Sequence, residues 1–153
     1  MYLTPDYEDM IALFNEHGVR YLVAGAYAMS TFGYSRSTYD IDLWIGRDES
    51  NIDKVIAALD DFGIPFQIST EDLSRPNSVI QIGTAPVRID LLTDIDGVDF
   101  DDAYAGRIVH DFGTLQASVI NLDDLMKNKS ATQRSKDKID LIELRKIKES
   151  SRD

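Results

Sequence analysis

Between residues 40 and 45 the chain reads Asp-Ile-Asp-Leu-Trp-Ile, with acid and apolar residues alternating before the run turns wholly apolar. Successive side chains of a strand leave on opposite faces. This period therefore predicts a strand with Asp40 and Asp42 on one face and Ile41 and Leu43 in a core. Two carboxylates held that close repel each other unless a cation sits between them or one takes a proton. Val87-Arg88-Ile89-Asp90-Leu91-Leu92 repeats the pattern, with Ile89 and Leu91 inward and Arg88 and Asp90 outward. If the two strands share a sheet, Asp40, Asp42 and Asp90 converge, and oxygen-only ligands of that kind suit a hard cation such as magnesium. The plainer alternative is a solvated face that guards a sheet edge against aggregation, with Asp90 salt-bridged to Arg88.

The rest of the chain supplies the frame for such a sheet. Thr4-Pro5-Asp6 predicts a helix start, and the helix closes at His17-Gly18. Tyr21 to Ala24 reads as a buried strand leading to Gly25, followed by a brief helix over 26–32 and a polar loop over 33–38. Ser50 is read as the cap of a helix whose apolar stripe is Ile52, Val55, Ile56, Leu59 and Phe62, with Gly63 as its stop. Short strands are expected at 66–68, 79–82 and 115–120, with 87–92 as hairpin partner of 79–82. Asn121 caps a helix to Asn128, and 135–148 forms the last helix, whose apolar residues Ile139, Leu141, Ile142, Leu144 and Ile147 make no clean stripe. With no repeat or linker, the expected fold class is α/β (α+β) in one domain over 1–153.

Composition narrows the function. Apolar residues make 43% and charged residues 28% of the chain, as in soluble globular proteins. The longest apolar run, Tyr21 to Met29, is too short to span a bilayer, and the first residues have no signal-peptide pattern, so a cytoplasmic protein without a membrane partner is expected. No cysteine is present to form a disulfide or a thiolate metal site. A net charge of −11 argues against non-specific nucleic-acid binding. Against this acidic background Lys127, Lys129, Arg134, Lys136 and Lys138 stand close together with Asp137 as the one acid among them. The acids at 94, 96, 99, 101 and 102 lack the spacing of a calcium loop and read as solvated. Trp44 either borders the acidic face or packs beneath a helix. His17 serves a helix end, and His110 has no assigned role.

Gly25-Ala26 follows a buried strand and opens a small-residue helix, Ala26-Tyr27-Ala28-Met29-Ser30, a junction that lets phosphate approach backbone N–H groups. Taken with Gly33-Tyr34-Ser35-Arg36-Ser37-Thr38-Tyr39-Asp40-Ile41-Asp42-Leu43 and the later Arg88-Ile89-Asp90, the pattern resembles the nucleotidyltransferase superfamily. It is most similar to small bacterial nucleotidyltransferase-like proteins, including toxins of toxin–antitoxin pairs. The resemblance runs from about Tyr21 to Leu144. One departure is Ala26, where the superfamily usually has Gly or Ser.

The resemblance implies a mixed sheet flanked by helices, with a C-terminal helical segment. It also implies that Asp40, Asp42 and Asp90 are catalytic and hold Mg2+, as a two-metal site when a nucleoside triphosphate is bound. Gly25, Ala26, Ser30, Arg36, Thr38, Lys129, Arg134 and Lys136 are the implied nucleotide-binding residues. The implied reaction moves a nucleoside monophosphate to a hydroxyl on RNA, protein or a small molecule, with an antitoxin as a further partner. Several of these positions have a second reading. Arg36 could steady its loop or touch phosphate, the bases at 129, 134 and 136 could form a solvated surface, and Asp137 could orient Lys136 or pair with Arg134. A non-catalytic nucleotide-binding or protein-interaction module on the same scaffold is the alternative function.

Overall fold

The computed structural model describes residues 2–151. Helix α1 (Pro5–Glu16) is capped by Thr4, whose side chain accepts from the Tyr7 N–H, and buries Tyr7, Met10, Ile11 and Phe14. Strand β1 (Tyr21–Ala24) is buried throughout and runs directly into α2 (Gly25–Thr31). Strand β2 (Asp40–Ile45) follows, then α3 (Glu49–Phe62), the short α4 (Thr70–Ser74), β3 (Val79–Ile82) and β4 (Arg88–Leu92). Helix α5 (Phe100–Ala105), β5 (Ile108–Asp111), β6 (Gln116–Val119), α6 (Leu122–Ala131) and α7 (Ser135–Ser150) complete the order.

The strands form one mixed sheet in the order β3-β4-β2-β1-β6-β5. The pairs β1–β2, β3–β4 and β5–β6 are antiparallel, whereas β2–β4 and β1–β6 are parallel. Ile41, Leu43, Ile89 and Leu91 lie in the core, at 2% exposure or less. The period-two alternation then presents the acids of β2 and β4 on the opposite face. No helix of the described residues is long and apolar enough to cross a membrane.

Several sequence expectations need correction. Helix α3 is capped by Asp48, whose side chain accepts from the Asn51 N–H, so Ser50 already lies within the helix. No strand forms at 66–68. There Pro65 removes a ladder donor, and Ser69 and Asp72 close a capping box that commits the following residues to α4. Strand β5 was not expected, because its four residues on the sheet edge alternate buried and exposed sides only weakly. Helix α6 continues three residues past Asn128 to Ala131. Helix α7 buries Asp137, Asp140, Leu141 and Leu144 while Ile139 and Ile142 face outward, at 59% and 51% exposure. Its buried stripe is half acidic, which is why a search for apolar spacing missed it. Trp44, by contrast, packs as one of its two readings had it, edge-on against Phe100 of α5 with ring centres 5.1 Å apart.

The far end of the β1–β2 ladder is pinned by one side chain. Asn51, 2% exposed, accepts from the Arg20 N–H at 2.7 Å and donates to the carbonyls of Arg20 (3.0 Å) and Gly46 (2.8 Å). Truncation would remove the side-chain partner of the Arg20 N–H and of the Gly46 carbonyl, leaving the Arg20 carbonyl only its bond from the Gly46 N–H. Asn51→Ala is expected to lower stability by about 2–4 kcal/mol, as read from urea unfolding midpoints at unchanged slope.

Candidate active site

The register of the sheet decides which acids meet. In the parallel ladder Asp42 stands opposite Asp90 and Asp40 opposite Arg88, while the antiparallel ladder sets Ala24 beside Asp42. One carboxylate oxygen each from Asp40, Asp42 and Asp90 falls within a group no more than 4.8 Å across. Acids separated by up to 50 positions therefore meet at one point on the sheet face, as the two alternating segments predicted.

The turn after β1 is shaped around this group. Gly25 has φ +64°, in the left-handed region. A Cβ built there would lie 2.5 Å from Asp42 Oδ2, so any side chain at this position is strained for two independent reasons. Ala26 follows it as the second residue of α2, where the backbone N–H has no acceptor within the helix.

Electrostatics separates the three acids. Burial, aided by the charges of Asp40 and Asp90, pushes Asp42 from its ordinary 3.8 up to about 7, against the pull of Lys129 and Lys136. Burial also acts to raise Asp40, but hydrogen bonding with Asp90, Thr38 and Arg88 outweighs it and holds this carboxyl below the ordinary value. Asp90 is raised, chiefly by burial. Thr38 Oγ1 donates to Asp40 Oδ1 at 2.9 Å. The Arg88 guanidinium donates to Asp90 Oδ1 (2.7 Å) and Oδ2 (3.0 Å) and to Asp40 Oδ2 (2.9 Å).

A cleft of about 670 Å³ opens above the acids. Gly25, Ala26, Thr38 and the three acids line one part of it, and Arg36, Lys129, Arg134 and Lys136 another. Ser30 does not line it; its hydroxyl turns back to donate to the Tyr27 carbonyl at 2.7 Å. The basic residues are not equivalent. Lys129 is 5% exposed and pairs with Asp137 (3.0 Å) and Asp140 (3.2 Å). Arg134 Nε and Thr132 Oγ1 each donate to Asp137 Oδ2 at 2.7 Å. Arg36 grips Asp140 through Nε (3.2 Å) and Nη2 (3.1 Å). Burial works to raise Asp137, but Thr132, Lys129 and Arg134 overcome it and hold it down at about 2. Lys136 alone of these bases has no hydrogen bond or ion pair among the described residues, which leaves its charge available to a ligand. Sequence reasoning missed Asp140 as the partner of Arg36, because the two lie 104 positions apart. The salt bridge from Arg88 to Asp90 forms as one reading of the sequence had it, but that the same guanidinium also reaches Asp40 was not anticipated.

A hard cation fits this donor set: all three groups offer oxygen, they are close together, and a positively charged guanidinium already lies against two of them. A cluster poised this way could hold magnesium against phosphate oxygens.

Two outcomes are expected from the geometry. Gly25→Ala should cost about 1–3 kcal/mol through backbone strain and contact with Asp42, measured by denaturant unfolding. Asp42 binds its proton more tightly folded than unfolded, so its contribution to stability is present at low pH and is lost as pH rises from 3.8 to about 7. Asp42→Asn, without added metal, should therefore be more stable than the parent at pH 8 by roughly 1–3 kcal/mol, with the gap closing near pH 4, in unfolding curves run at both values.

No curated protein matches the chain. The family described as nucleotidyl transferase of unknown function (DUF2204) matches residues 4–152, nearly the full length, and the chain belongs to that family.

Proposed function

We propose that the protein transfers a nucleoside monophosphate from a nucleoside triphosphate to a hydroxyl acceptor, with magnesium held by Asp40, Asp42 and Asp90. The observation that carries this reading is the meeting of three carboxylates beside a side-chain-free turn at the mouth of a cleft with a basic wall. Bound magnesium would supply charge neutralisation at the phosphates and at the attacking and leaving oxygens.

The residues of the chain have separable roles in this scheme. The turn at Gly25-Ala26 lets phosphate approach the backbone, because no side chain stands at residue 25. Lys136, which has no hydrogen bond or ion pair among the described residues, offers the triphosphate a positive charge. Lys129, Arg134 and Arg36, engaged by Asp137 and Asp140, form the wall behind it and hold the loop that carries Thr38. Asp90 accepts the proton of the acceptor hydroxyl as its oxygen bonds to the α-phosphorus and the bond to pyrophosphate breaks. Most of the rate gain comes from positioning and from placed charge. An acceptor on RNA, protein or a small molecule, and an antitoxin-like partner, rest on the family resemblance alone.

Titration of Mg-ATP and Mg-CTP by calorimetry, followed by incubation of α-labelled triphosphate with cell extract, tests the reading. The parent is expected to bind nucleotide and pass label to an acceptor. Asp40→Asn and Asp90→Asn should each lower label transfer by at least about a hundredfold while unfolding like the parent. Variants that transfer label as well as the parent overturn the assignment. Nucleotide binding without transfer by the parent points instead to a non-catalytic nucleotide-binding module.

A further inference from the structure

The triad contains a cation of its own. Arg88 Nε and Nη2 occupy both oxygens of Asp90, at 2.7 and 3.0 Å, and Nη2 reaches across the ladder to Asp40 Oδ2 at 2.9 Å. The other oxygen of Asp40 is taken by Thr38. Asp42 accepts no hydrogen bond among the described residues. Two of the three carboxylates are thus drawn together by a guanidinium that projects from the same strand as Asp90. Three other bases of the cleft are engaged elsewhere, Arg36 with Asp140, and Lys129 and Arg134 with Asp137, while Lys136 makes no hydrogen bond or ion pair among the described residues.

We propose that Arg88 takes the place of a divalent cation in the metal-free protein, bridging Asp40 and Asp90, and that it gives up Asp40 when an ion enters. This rests on the reading of the three acids as metal ligands. A carboxylate lone pair aimed at an N–H is not aimed at an ion, and two positive centres a few ångströms apart repel strongly in a half-buried site. The bridge is also the part of the contact easiest to lose. Nε can stay on Asp90 while the Nη2 end, on a side chain 28% exposed, swings into the cleft. Metal affinity is then lower than three carboxylates would give, because each binding event breaks the charge-assisted bonds of Nη2 to Asp40 Oδ2 and Asp90 Oδ2. In return, Asp40 and Asp90 stay together when no ion is present.

Manganese without nucleotide, followed by the electron paramagnetic resonance of free Mn2+, is the direct test. Arg88→Met is expected to bind Mn2+ at least about tenfold more tightly than the parent. Arg88→Lys, which keeps the charge but loses the fork, should fall between the two. Equal or weaker Mn2+ binding by Arg88→Met overturns the proposal, as does the absence of Mn2+ binding in both proteins. A second measurement needs no variant of Arg88. The Nη–H resonances of Arg88 in the parent should be separate without metal, because the bridge restricts rotation, and should average in saturating Mg2+. Resonances that stay separate in saturating Mg2+ also overturn the proposal. Neither measurement contains nucleotide, so failure of nucleotidyl transfer leaves both outcomes readable. Asp42→Asn, which should lose Mn2+ binding, tests the metal reading by itself.

Discussion

The parallel pairing of β2 with β4 sets Asp42 opposite Asp90, and every other feature of the site is arranged around that fact. Parallel neighbours cannot be joined by a tight turn, so the chain between them must travel out and return. It does so through α3, α4 and the edge strand β3, which brings β4 back at the register where acid faces acid. A slip of one residue in either strand would put the acids into the core and Ile41 or Ile89 into the cleft. Burial of Ile41, Leu43, Ile89 and Leu91 therefore fixes the position of the carboxylates: the core holds the register, and the register brings the acids together.

Such a concentration of negative charge is costly to fold, and the molecule offsets it in two ways. Arg88 neutralises the pair Asp40 and Asp90 directly. Asp42, raised by burial and by its neighbours, folds more easily as the neutral acid. Behind the cleft the same problem appears with the signs reversed. Lys129 is buried, and it is tolerable there because Asp137 accepts a hydrogen bond from it and Asp140 pairs with it. Such networks are weak sources of net stability, since desolvation consumes much of the attraction, but removal of one member leaves a buried charge without a partner. They act chiefly to hold side chains in one arrangement.

Much of this was legible from the residues in order. The alternation at 40–45 and 87–92 disclosed both the strands and the face on which the acids gather, because a period of two has one simple structural cause. Thr4, Gly63 and Asn121 announced helix ends through their capping chemistry. What escaped was information held between distant segments. The partner of Arg36 lies on α7, and no local pattern distinguishes a solvated aspartate from one buried against a guanidinium. The stripe of α7 was hidden for the same reason, since Asp137 and Asp140 occupy positions where a core would place leucine. Strand β5 has its hydrogen-bonding partner on only one side, so its pairing owes more to β6 than to its own residues.

The double grip on Asp140 has a consequence for the architecture of the molecule. Arg36 reaches it from the loop ahead of β2 and Lys129 from α6, so one carboxylate on the last helix ties together segments separated by most of the chain. The sheet is complete once β6 has paired, yet the cleft is not. A ribosome that has released residue 120 has made every strand, but the basic side of the cleft has no charge partners until α7 emerges and docks. The cleft is thus finished later in synthesis than the sheet beneath it, only once α7 has docked.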